Sequence, residues 1–157
     1  MNRSTLIAVL AVVLLIVLIS LALRFQRDMA AGRPPQDQSS HTVGEALAKA
    51  RTKAGSGPIY SILGTGSMAP YLPAGQPDEI VAYAIARPGA TFADVRKGNL
   101  VVALDPNNPA GATMHQAGAK QGATWILTGL ANTRSDTGRM TPDTFLAIVD
   151  KTYTWTP

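Results

Sequence analysis

Side chains able to do covalent chemistry are few in this chain of 157 residues: it has no cysteine and only two histidines, His41 and His115. A thiolate nucleophile, a disulfide frame and a cysteine-bound zinc are therefore excluded. His115 is the only histidine beyond the N-terminal third, and the acidic residues are scattered, so neither a metal nor another cofactor is expected. The informative segment is Gly64-Thr65-Gly66-Ser67-Met68-Ala69-Pro70-Tyr71-Leu72-Pro73-Ala74-Gly75. It follows an apolar run and sets a serine directly after a glycine, which leaves the hydroxyl exposed and the serine N–H able to face a substrate carbonyl. The plain alternative is a glycine-rich turn, but flexible turns seldom need a methionine and two prolines, which stiffen and bury this one.

Gly66-Ser67-Met68-Ala69-Pro70, followed by Leu72 and Gly75, resembles the nucleophile box of signal peptidases of the S26 class. Arg96-Lys97-Gly98-Asn99-Leu100-Val101-Val102 is similar to the strand that follows that box, where Gly-Asp is commoner than Gly-Asn. Bacterial members use a lysine as base, whereas archaeal and endoplasmic-reticulum members carry a histidine there. Thr113-Met114-His115-Gln116 falls where the base-bearing strand belongs. Leu127-Thr128-Gly129-Leu130-Ala131-Asn132-Thr133-Arg134-Ser135-Asp136 resembles the later Gly-Asp-Asn…Asp segment. The resemblance spans residues 60–150 and has departures: Leu130 stands for a usual aspartate, Gln116 for an arginine and Tyr71 for a threonine. These departures favour an alternative, a catalytically inactive membrane-anchored β module of the same fold that binds or scaffolds a partner. Retention of both Ser67 and His115 favours an enzyme.

Serine is a poor nucleophile until a base takes its proton, and an imidazole with an ordinary pKa of about 6.5 does this near neutral pH. His115 suits that role better than any lysine. Lys120 is the reserve base, because it sits in Gly118-Ala119-Lys120-Gln121-Gly122, which reads as a solvated hairpin tip, and a free lysine holds its proton to a pKa of about 10.4. Asp136 is the candidate for orienting the imidazole, with a turn aspartate as the equal alternative. The oxyanion donors are the Ser67 N–H and the hydroxyl of Thr65, which lies where the family often has a serine; Met68 joins them on the substrate side. The resemblance implies preprotein or leader-peptide substrates, cut after small residues.

These groups must be held by short strands. Ile59–Leu63, Ile80–Ala86, Leu100–Leu104, Thr124–Thr128 and Phe145–Val149 are apolar and β-branched runs separated by Gly, Pro, Asn and Asp. Residues 58–157 therefore predict a mainly β domain, a small antiparallel barrel or coiled sheet, and the resemblance implies that it is of signal-peptidase type. Residues 28–57 read as a juxtamembrane linker: Gly32-Arg33-Pro34-Pro35 and the polar stretch after it favour extended chain, and Thr42 with Glu45 opens a short basic helix that ends at Gly55.

From Leu6 to Leu23 the only polar residue is Ser20. Eighteen helical residues span about 27 Å, near the hydrocarbon thickness of a bilayer. The run is too long for a signal-peptide core and is read as an uncleaved transmembrane helix within residues 1–27, making the lipid bilayer a partner. The net charge is +4, and residues 1–56 carry seven basic and three acidic side chains against seven of each in 57–157. The folded part offers no basic face for nucleic acid. Arginines after the span favour a cytoplasmic domain, whereas the resemblance implies the exoplasmic side of a cell membrane.

Overall fold

The computed structural model describes residues 12–21, 32–76, 79–105, 108–131 and 138–156. The chain divides into two compact units, Met1–Ala31 and Gly32–Pro157. In the first, residues 12–21 form a helix, α1, whose large apolar side chains are 47–60% exposed. No helix among the described residues is long and apolar enough to cross a membrane, and the remainder of the predicted span, 6–11 and 22–23, lies outside them.

The second unit is built on one sheet. Its strands are β1 (Gln36–Ser40), β2 (Ile59–Leu63), β3 (Ile80–Ala86), β4 (Leu100–Asp105), β5 (Asn108–Gln121), β6 (Thr124–Thr128), β7 (Arg139–Met140) and β8 (Phe145–Trp155), and α2 covers Val43–Ala54. The order is β2-β3-β8-β4-β5-β6-β7, with β1 added in parallel to β8 and every other pairing antiparallel. The sheet is mainly β as expected but open, with β2 and β7 at its ends, so the barrel alternative is not realised.

Two differences from the sequence reading have clear physical causes. The linker from Gly32 onward belongs to the folded unit: Gln36 pairs with Thr152 and Asp37 with Tyr153, and the Lys151 ammonium holds the Asp37 carboxylate at 3.1 Å. A polar strand is stabilised here by backbone ladder bonds and one ion pair, neither of which hydropathy reveals. β8 runs past Asp150-Lys151 to Trp155, paired there with β1 and β3, with Thr152, Tyr153 and Thr154 buried. The long β5 carries Met114 as its one large apolar residue and packs closely elsewhere: a side chain at Gly118 would lie 3.1 Å from the Ile126 carbonyl oxygen.

The expected helix is present. Thr42 Oγ1 accepts the Glu45 N–H at 3.2 Å, while the Glu45 carboxylate reaches back to the His41 N–H at 2.8 Å. Its alanine face packs on the sheet, with Ala46 and Ala50 fully buried against Tyr83, Ile85 and Tyr153. Arg51 and Lys53 stay exposed. A second cluster, with Leu100, Val102, Met114, Ala147 and Val149, receives Met68 and Leu72 from the β2–β3 connection. This anchoring fixes the serine segment on the sheet.

Candidate active site

Ser67 lies in the connection between β2 and β3, whose shape is set at its neck. Gly64 donates its N–H to the Glu79 carbonyl at 2.9 Å, and Gly75 donates to the Gly64 carbonyl at 3.2 Å. A Cβ on Gly64 would stand 2.5 Å from the Gly75 Cα, so only glycine lets the two strands of the neck touch. Gly66 adopts φ +76°, a left-handed conformation that L side chains rarely take, and turns the chain into Ser67. Ala69 N–H to the Gly66 carbonyl (3.1 Å) and Leu72 N–H to the Met68 carbonyl (3.0 Å) then coil the segment. This coil buries Met68 and Leu72 and leaves Ser67 part-exposed.

His115 comes from β5, where it is paired with Val101 of β4. Its Nε2 is 3.3 Å from Ser67 Oγ, forty-eight positions apart in sequence, and Thr65 Oγ1 is 3.1 Å from the same oxygen. For the serine to donate to Nε2, the imidazole proton must sit on Nδ1, which is shut away from solvent. Hydrogen bonds of this type are commonly loose before substrate arrives and tighten with it.

The pair opens onto a cleft of about 590 Å³ lined by Ser61–Leu63 of β2, Gly111–His115 of β5, Met68 and Leu72. Among the described residues β2 pairs only with β3, and the 112–115 stretch of β5 only with β4. Each wall therefore keeps a strand edge with backbone donors and acceptors. Met68 is both a cleft wall and a core residue, 5% exposed.

The other candidates separate. Lys120 is exposed with its ammonium 5.6 Å from the centre of the Trp125 ring, and lies five residues past His115 on β5, roughly 16 Å along a strand. It does not line the cleft. Asp136 lies outside the described residues. The segment leading to it does reach the serine: Ala131 donates its N–H to the Ser67 carbonyl at 2.9 Å, and Leu130 packs on the Met68 cluster. A hydrophobic contact thus occupies the place where the resemblance expects an aspartate. Gln116 is fully buried and its amide donates to the Gly98 carbonyl at 2.9 Å.

Tyr71 was visible in the sequence only as a departure from a usual threonine. Its hydroxyl donates to the Pro34 carbonyl at 3.1 Å and lies 2.7 Å from Thr152 Oγ1, while its own carbonyl accepts the Gln36 amide at 2.7 Å. Burial raises the phenol pKa above its ordinary value, with the Thr152 hydrogen bond opposing. Asp37, on the same N-terminal segment, is held well below the usual carboxylate range by the Ser39 hydroxyl and N–H, then by Lys151. Comparison with protein-family models, curated proteins and solved structures finds no match for this chain.

Proposed function

We propose that the chain is a serine endopeptidase of signal-peptidase type, anchored to a membrane through residues 6–23 and cleaving leader segments from preproteins. The observation that carries this is the 3.3 Å approach of Ser67 Oγ to His115 Nε2 at the head of a cleft. In the reaction His115 takes the serine proton as Oγ attacks the peptide carbonyl, then delivers it to the leaving amine. The Ser67 N–H and the Thr65 hydroxyl receive the developing oxyanion. An extended peptide fits the cleft by adding a strand to the open edges of β2 and β5. The exposed apolar side chains of α1 support the anchor, which would confine enzyme and preprotein to one surface. The resemblance further implies an exoplasmic domain.

The test is incubation of the detergent-solubilised full chain with a preprotein carrying a small-x-small site, beside a Ser67→Ala variant. Cleavage by the parent alone supports the proposal. Equal cleavage by both refutes it, and peptide binding without cleavage by either points to the non-catalytic module. Protease accessibility of the domain in intact cells tests its sidedness.

A further inference from the structure

The segment Gly32–Asp37, which sequence alone makes a solvated linker, touches the supports of both members of the dyad. On the serine side, Tyr71 lies four residues after Ser67 and is clamped from two directions, by Gln36 at its carbonyl and by Pro34 and Thr152 at its hydroxyl. On the histidine side, Gly32 lies so close to the Gly98 turn that a Cβ there would stand 2.2 Å from the Gly98 carbonyl carbon. The Gly98 carbonyl in turn holds the amide of Gln116, the neighbour of His115 on β5. Thr152 N–H to the Pro35 carbonyl (3.2 Å) and the Asp37–Lys151 pair seat the segment on β8.

We propose that Gly32–Asp37 is a strap whose seating on β8 sets Ser67 against His115, and that Tyr71 is the positioning residue through which it acts. This rests on the serine-hydrolase reading of the site. A strap tied to one support alone would only stabilise a loop, whereas one tied to both fixes their separation. Displacement of a reacting group by 1 Å lowers rates by about 10²-fold, so losing one clamp costs chemistry more than binding.

The experiment uses the full chain in detergent with Tyr71→Phe and Gln36→Ala. Labelling of Ser67 by a fluorophosphonate is resolved into its maximal rate and its half-saturating concentration, and amide hydrogen exchange is followed at Ala69, Leu72 and Ala131, with Val101–Ala103 of β4 as reference. Expected in Tyr71→Phe and Gln36→Ala is a maximal labelling rate lower by about tenfold, a half-saturating concentration unchanged within about twofold, and faster exchange at the three loop amides only. Unchanged labelling and unchanged loop exchange in both variants overturn the proposal, as does exchange that rises equally in β4, which marks general loosening. Failure of the parent itself to label sinks the serine-hydrolase reading, and the exchange measurement then still decides whether the strap holds the loop.

Discussion

Replacing Gly64 by alanine puts the geometry of the serine loop to a quantitative test. The added methyl would stand 2.5 Å from both Cα and N of Gly75 and 2.6 Å from Val81 Cγ1. Carbon atoms prefer about 3.5–4.0 Å, so the neck must open by roughly 1 Å. Backbone lies on the opposing side, and it cannot swing away as a flexible side chain would. Opening strains the Gly75 N–H to Gly64 carbonyl bond, already 3.2 Å long. Overpacking of this kind costs about 1–3 kcal/mol. At roughly 4 °C per kcal/mol for a domain of this size, the Tm falls by about 4–12 °C. Ser67 lies three residues from the neck, so its labelling by a fluorophosphonate, read well below the Tm, falls by at least about tenfold. Gly44→Ala is the matched control, because a Cβ there meets nothing closer than Thr42 Oγ1 at 3.9 Å. In helix α2 that change is neutral or stabilising by up to about 1 kcal/mol. A Gly64→Ala protein with parental Tm and parental labelling would show that the neck does not shape the loop.

Thr65→Val removes the hydroxyl 3.1 Å from Ser67 Oγ and lowers turnover of a cleaved peptide about 10²–10³-fold with an unchanged Tm; turnover within threefold of the parent excludes Thr65 as an oxyanion donor. Lys120→Ala leaves peptide cleavage unchanged, since the lysine stands over Trp125 and away from the cleft, and a loss above tenfold would restore it as base. Asp37→Asn tests the strap's ion pair through pH. Because the folded carboxyl is held below its ordinary 3.8, its contribution is fully present above that value and disappears as pH falls through the folded pKa. Lys151 is raised, so its share is present below the ordinary 10.5 and is lost above it. Denaturant titrations should therefore show Asp37→Asn less stable by about 0.2–1 kcal/mol between pH 4 and 10 and converging on the parent in stronger acid; a difference that grows below pH 4 contradicts the assignment.

Much of the site was legible because its chemistry depends on unusual local residues. Gly64, Gly66, Gly75 and the prolines around Ser67 announce a stiff turn, and the structure makes of them a neck, a left-handed corner and a buried coil. Ile59–Leu63, Ile80–Ala86 and Thr124–Thr128 were legible as strands from their apolar and β-branched runs, and they form over those same residues. The approach of His115 to Ser67 was not legible from spacing, since it is created by the β4–β5 pairing and the folding of the β2–β3 connection onto the same core cluster. What sequence concealed most was β1, a polar strand held by backbone bonds and by Lys151 more than one hundred residues away. Without β1 in view, Tyr71 had no partners and read only as an irregularity. Asp136 lies outside the described residues.

The dyad itself is tested most directly by locating and timing the adduct of a fluorophosphonate on the full-length chain, parent against His115→Ala. A single adduct on Ser67, formed at least about 10²-fold more slowly without the imidazole, is the predicted result. No adduct on Ser67 in the parent, or labelling indifferent to His115→Ala, would contradict the assignment of these two residues as nucleophile and base.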